Sequence, residues 1–188
     1  MTNDAVRDLV WSAPARALTL MDPQFTSAGA NHPGLYLHVI NGRAGVIAAY
    51  VGKSEFTVRE RQYEHFECYS KGAYDIRDDR GVLLHAGNRC GRRHGSHDAI
   101  LIDQLHRTVI YSAPIPAGAG GSQLLEAMEG MLIKALKKRL PREAINMRPA
   151  SQLYQAVQHL TLNHAGDPGP QAFFGARTVW DRKSRKIS

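Results

Sequence analysis

Two tyrosines stand where chemistry could use them. Tyr36 closes the tripeptide Gly34-Leu35-Tyr36, and Tyr50 opens Tyr50-Val51-Gly52, each inside a run that reads as a strand. A phenol titrates at about 10 when unperturbed, so neither is a base at neutral pH unless positive charge lowers it. Lys53, directly after the second tripeptide, and Arg61 are the nearby sources of such charge. Arg61 and His65 are four residues apart and share one face of a helix. Arg59 takes the place of Arg61 if the register differs. Glu126 and Glu129 lie a turn apart on a later helical stretch. Each residue also has a plain reading: tyrosines that pack a sheet with hydroxyls at its rim, a solvated arginine or glutamate, a satisfied helix histidine.

A second group gathers between residues 85 and 97. Cys90-x3-His94-x2-His97, with His85 upstream, is of zinc-ligand type but lacks the paired spacing of a finger. Arg89, Arg92 and Arg93 make the same stretch strongly basic, and it reads as a contact loop rather than a metal site. Gly118-Ala119-Gly120-Gly121 precedes a helix and reads as a flexible loop more readily than as an anion cradle. The chain contains no Walker motif, dinucleotide fingerprint, HExxH or nucleophile elbow.

The elements that must position these residues follow from pattern. Leu35 to Ile40 and Val46 to Val51 read as strands, with Asn41-Gly42 as the turn of a hairpin. Thr57 and Glu60 form a capping-box pair that starts a helix, and Lys71-Gly72 ends it. Val82 to His85 predicts a short strand, Asp98 to Leu105 a short helix, and Thr108 to Ser112 a strand that stops at Pro114. Apolar residues at helical period from Leu124 to Leu140 predict a long helix over 123–140, with Ser122 as its cap and Pro141 as its stop. A helix is expected over 151–160 and a loop over 163–170. Phe173, Phe174, Val179 and Trp180 are expected to return to the core, and 182–186 to be a mobile basic tail. Residues 1–33, turn-rich and broken by Pro14, read as an arm that covers the core or contributes to recognition.

The whole chain has 188 residues, 43% hydrophobic and 22% charged, a balance that suits one globular domain with a short appendage. Lys and Arg total 24 against 17 Asp and Glu, a formal charge of +7. Such a surplus points to a polyanionic partner, although a basic solvated surface would look similar. No apolar run is long enough to span a membrane, and the start lacks the pattern of a secretory signal. Cys68 and Cys90 cannot build a disulfide framework or a four-thiolate zinc site, and a reducing cytoplasm is the expected setting.

Taken in order, Gly34-Leu35-Tyr36, Tyr50-Val51-Gly52 with Lys53-Ser54, Arg61 and His65 on the next helix, and Glu129 on the long helix resemble the GIY-YIG nuclease family. The late asparagine of that family best matches Asn146. The resemblance covers about residues 34–146. It departs from the family in Leu35 and Val51, both tolerable strand residues, in a longer span before Glu129, and in a generous distance from Glu129 to Asn146. It implies a small α/β fold with a mixed, largely antiparallel central sheet flanked by helices. On that reading, 34–149 is the catalytic domain with a basic insertion near 72–105, 1–33 is an N-terminal arm, and 150–188 is a C-terminal helix and basic tail.

The implied activity is metal-dependent hydrolysis of DNA phosphodiesters, sequence-specific and restriction-like. A repair or mobile-element nuclease is the alternative enzyme, and an inactive DNA-binding domain the alternative from another class. Such hydrolysis needs an activated water in line with the leaving oxygen, positive charge beside phosphorus, and a stabilised leaving group. The resemblance gives Tyr36 the activating role, with Tyr50 orienting or relaying. Lys53 and Arg61 supply positive charge, and His65 bonds the phosphate or a tyrosine. Glu129 holds one Mg²⁺ (or Mn²⁺), while Asn146 orients the glutamate or anchors a loop. Double-stranded DNA is the expected partner, with Arg89, Arg92, Arg93, Lys134, Lys137 and Lys138 as candidate contacts to phosphate or base edges. A palindromic target cut on both strands would favour a homodimer; one copy acting twice is the alternative.

Overall fold

The computed structural model describes residues 4–22, 24, 29–87, 97–115, 121–145, 159–181, 183–184 and 186–188. In chain order the elements are β1 (Asp4–Trp11), β2 (Ala15–Arg16), α1 (Ala17–Leu20), β3 (Gly34–Gly42), β4 (Gly45–Ser54), α2 (Val58–Ser70), β5 (Ile76–Arg77), β6 (Leu83–His85), α3 (His97–Arg107), β7 (Thr108–Pro114), α4 (Gly121–Arg139), β8 (His159–Gly166), α5 (Pro168–Phe174), β9 (Arg177–Asp181) and β10 (Lys186–Ile187).

Strands β2-β7-β3-β4 form one antiparallel sheet, in that order. Alternation along β3 divides its residues between two cores. Leu35, Leu37 and Val39 join Ala49 and Val51 of β4 in a core with α4. Tyr36 points the other way, into a core with Val58, Leu101 and Leu105 from α2 and α3. Behind α4 lies a second sheet, β1-β8-β9-β10, in which β1 and β8 run parallel over eight residues and the other pairs are antiparallel. Helix α4 therefore sits between two sheets. Its buried residues run round its circumference, Leu124, Leu125, Met128, Met131, Leu132 and Leu136 among them, as expected of an enclosed helix.

Much of this follows the sequence pattern: β3, β4, α2, β6, α3, β7 and α4 lie where periodicity puts them, within a few residues. Four details differ. Gly42 pairs with Gly45, so the hairpin turns at Arg43-Ala44 rather than at Asn41-Gly42, and a bulge after Ile40 absorbs the shift. Ser122 lies inside α4, where its hydroxyl donates to Glu55 Oε1 at 2.7 Å instead of capping. Residues His159–Gly166 are a strand rather than the end of a helix followed by a loop; positions 151–158 lie outside the described residues. The segment after Trp180 returns as β10, and the N-terminal arm contributes strand β1. Phe174 and Trp180 do return to the core, at 7% and 4% exposure.

Among the described residues no helix is long and apolar enough to cross a membrane.

Candidate active site

Helix α2 starts as its sequence dictates. The Thr57 side chain accepts from the Glu60 amide at 3.0 Å, and the Glu60 carboxylate accepts from the Thr57 amide at 3.0 Å. Helical period then aligns Val58, Gln62 and His65 on its buried side. Two of these three are polar, an unusual stripe to turn inward, and they turn toward β3.

The polar face of β3 meets that stripe. Tyr36 is fully buried, and its hydroxyl lies 2.7 Å from His65 Nε2. Two residues on, on the same face, His38 donates its Nε2–H to Gln62 Oε1. Tyr50 stands opposite His38 in the register, with ring centroids 6.0 Å apart, and its ring is also 6.0 Å from Tyr36. The four rings form one packed cluster.

The glycine of the second tripeptide has a steric reason. Gly52 pairs with Tyr36 across the hairpin, and a Cβ there would come within 2.3 Å of the phenol ring. The Tyr36 ring lies over a position that has no side chain.

A cavity of about 680 Å³ opens over this cluster and wraps β4, the edge strand. Tyr36, His38, Tyr50, Arg61 and His65 line it from one side of the sheet, and Glu126, Glu129 and Ile133 of α4 from the other. Lys53 lies at the end of β4, its Nζ 2.5 Å from Glu55 Oε1 and 3.4 Å from Glu126 Oε1. Arg61 is paired with Glu64 on the same helix. Phe56 stands at the mouth, 78% exposed.

Of the expected site residues, Tyr36, Tyr50, Lys53, Arg61, His65 and Glu129 share this cavity. Arg59 does not line it and instead reaches the Asp22 carbonyl. Glu126 does line it, but its side chain is 42% exposed, whereas Glu129 is 5% exposed. Lys134 lies over the Trp180 ring at 5.0 Å and Lys138 donates to the Ile187 carbonyl at 3.3 Å, both toward the second sheet. Lys137 is on the same helix and outside the lining. Asn146, Arg89, Arg92, Arg93, Cys90 and His94 lie outside the described residues. The sequence reading missed His38, Gln62, Glu64 and Tyr74. His38 was accessible to it, since strand alternation puts His38 on the face of Tyr36.

Burial dominates the electrostatics. It raises the Tyr36 hydroxyl well above its usual range, reinforced by Tyr50, and Arg61 opposes without prevailing. His65 is lowered to about 2, first by burial and then by His38 and Arg61. His38 is lowered to about 4 by burial, against the bond to Gln62. Burial also lifts Tyr74 to about 12. Arg61 stays cationic: burial disfavours its charge, but Glu64, Tyr36 and Tyr50 more than compensate. At neutral pH Tyr36, Tyr74, His38 and His65 are therefore neutral, and three cations that also line the cavity, Lys53, Arg61 and Arg77, are each paired with a carboxylate.

Among the described residues no group of three or more His, Cys, Asp and Glu forms a metal cage. Mg²⁺ does not require one, because it keeps several waters and takes one or two carboxylates. A buried glutamate on a cavity with room for water fits that donor set.

Comparison of the chain with family models, with curated proteins and with solved structures finds no match.

Proposed function

We propose that the chain is a divalent-metal-dependent endonuclease of GIY-YIG type, acting on double-stranded DNA in a restriction-like manner. The observation that carries this reading is the convergence of Tyr36, Tyr50, Lys53, Arg61, His65 and Glu129 on one cavity, from β3, β4, α2 and α4. The resemblance relied on their order in sequence; their meeting in space is a separate requirement.

The chain's own groups divide the work. Water attacks phosphorus as the P–O3′ bond breaks, leaving a 5′-phosphate and a 3′-hydroxyl. The attacking water loses its proton toward Tyr36, whose own proton passes along the 2.7 Å contact to His65 Nε2. Burial keeps His65 neutral at rest and also disfavours its protonation, so the proton rests there only while the negative charge of the bound phosphate lies close by. His38, bonded to Gln62, fixes the neighbouring wall and holds Tyr50 in place. Arg61 exchanges Glu64 for the phosphate oxygens, which its planar fork matches. Lys53 adds charge from the end of β4. Glu129 would hold Mg²⁺, whose charge stabilises the leaving oxygen when bound. Phe56 offers an exposed ring for a base at the mouth.

The test is supercoiled plasmid with Mg²⁺, followed by mapping of the product ends. Nicked or linear products with 5′-phosphates are expected. Arg61→Ala is expected to slow single-turnover cleavage by about 10²–10³-fold, the scale of one lost transition-state donor. DNA binding should change far less. Glu129→Gln should abolish Mg²⁺-dependent cleavage in a folded protein. Binding without cleavage by the parent chain would favour the inactive DNA-binding domain.

A further inference from the structure

Part of the cavity wall has no task in the proposed chemistry. Tyr69 lies in the last turn of α2, Tyr74 and Asp75 follow that helix, Arg77 belongs to β5 and Gln104 to α3, and all five line the cavity. They form one connected set. The rings of Tyr69 and Tyr74 meet edge to face with centroids 5.0 Å apart, and the Tyr74 ring lies 5.7 Å from that of His65. Arg77 pairs with Asp75 at 3.5 Å, and Asp75 Oδ1 accepts from the Gly87 amide at 2.9 Å. Gly87 packs so closely that a Cβ there would come within 2.5 Å of the Ala73 carbonyl, which holds the segment carrying Tyr74 in place. Gln104 is 1% exposed. Its Oε1 accepts from the Arg77 main-chain N–H at 2.8 Å, and this fixes the orientation of the amide. Its Nε2 is left buried with no hydrogen-bond partner. An unpaired buried donor is a standing cost that a bound acceptor would remove.

We propose that this wall holds one nucleobase of the DNA, taken out of the base stack, with its plane against the Tyr74 ring and an edge acceptor bonded to Gln104 Nε2. That the ligand is a nucleobase rests on the nuclease reading, which brings DNA to this cavity; the chemistry of the wall is read from its own groups. Those groups suit a neutral planar acceptor. They do not suit an anion: Asp75 is itself a carboxylate, it engages the charge of Arg77, and burial pushes the Tyr74 hydroxyl up to about 12, so that it stays a neutral phenol. A base gains from both features. Every base has a π-face to lay on an aromatic ring, and every base carries an acceptor on its edge. Enzymes that take a base out of the stack hold it in this manner, by aromatic contact and a hydrogen bond to the edge. The cavity, at about 680 Å³, is of a size that holds small planar ligands. Because Tyr74 stands beside His65, the base belongs to a nucleotide next to the phosphate under attack. The substrate class this selects is DNA with an unpaired or easily unstacked base beside the cleaved bond, since extrusion costs least there.

The experiment reads base binding and not cleavage. The full chain, isotope-labelled and free of metal, is titrated with deoxyadenosine and deoxyguanosine and followed by NMR. Deoxyribose phosphate, which carries sugar and charge but no base, is the control. Both nucleosides are expected to shift the side-chain NH₂ signals of Gln104 and the ring signals of Tyr74, and the sugar phosphate to shift neither. Tyr74→Leu should weaken nucleoside binding by about 5–150-fold, the range for loss of one base–aromatic contact. If that variant does not fold, the Gln104 and Tyr74 signals of the parent chain decide. Signals that stay in place at millimolar nucleoside, equal shifts with the sugar phosphate, or unchanged affinity in folded Tyr74→Leu would overturn the proposal. Plasmid cleavage is scored apart. Cleavage without nucleoside shifts sinks the base site alone, whereas nucleoside shifts in a chain that cuts no DNA uphold the base site and count against the nuclease.

Discussion

His65 and His164 are both buried imidazoles held neutral well below the usual histidine range, yet they occupy opposite kinds of environment. His164 lies behind α4 in the second sheet, in a three-ring cluster with Trp11 and Phe174 whose centroids are 5.4–6.3 Å apart. Both of its nitrogens are used. Trp11 Nε1–H donates to Nδ1 at 3.2 Å, Nε2–H donates to Thr178 Oγ1 at 2.9 Å, and that hydroxyl donates to the Phe174 carbonyl at 3.3 Å. The chain of donors ends at a backbone group; Thr178 and Phe174 line a separate hollow of about 370 Å³, but His164 itself does not. His65 touches Tyr36 on one nitrogen and lines a cavity. Burial lowers His164 to about 4, and burial with two neighbouring groups lowers His65 to about 2. A depressed pKa alone therefore does not distinguish the two histidines; that His65 itself lines the cavity does.

The largest effects should separate the two residues. His65→Gln is expected to cut single-turnover DNA cleavage by about 10²-fold or more, the range of a lost proton acceptor, with a small change in urea midpoint. His164→Gln should do the reverse: a loss of about 1–3 kcal/mol in unfolding free energy from broken buried bonds, with the cleavage rate per folded molecule unchanged. Equal behaviour of the two variants in both assays would remove the distinction.

Gly52→Ala is expected next, with about a hundredfold loss of cleavage, because the new methyl must displace the Tyr36 ring. The comparison behind α4 is Ala165, paired with Val10 in β8: substitution there by Ser should leave cleavage alone.

The pH dependence of stability gives a smaller effect and a fixed sign. His38 and His164 titrate near 4 in the folded chain against about 6.5 when unfolded. Between these values the unfolded chain binds more protons, so stability is intact above about pH 6.5 and falls as pH drops toward 4. Each contributes about 2 kcal/mol of loss between pH 6.5 and 5. Urea unfolding at these two pH values checks this, and His164→Gln should flatten the difference by its share. The smallest effect concerns Glu64, which pairs with Arg61 and on the proposed reading must yield it to phosphate. Glu64→Gln should tighten DNA binding a few-fold, most clearly at low salt.

How much of this was readable in the sequence depended on distance along the chain. The capping box of Thr57 and Glu60 is a three-residue signal, and it formed as read. The alternation of β3 and the period of α4 are local too. The pairing of β1 with β8 joins Asp4 to His159, and nothing in either segment names the other, so one read as an arm and the other as the end of a helix and a loop. The turn moved by two residues because a bulge, invisible to a dipeptide rule, shifted the register at Ile40. In the cavity, Arg61 and His65 were legible as one helix face from their spacing, and Glu129 only through the resemblance. Gln62 was not, because a glutamine beside an arginine on a helix has no signature until a strand lies against it.

The position of α4 has a consequence for synthesis. The helix is complete by Arg139, with the first sheet already made, but β8 and β9, which cover its other side, begin only at His159 and Arg177. On the ribosome, the half that carries the cavity can therefore assemble while one apolar flank of α4 still faces water. The strand waiting to close over that flank, β1, was made first. It must stay unpaired until its parallel partner emerges, which makes this interval the one in which a chaperone, or a neighbouring nascent chain, has an apolar surface to hold.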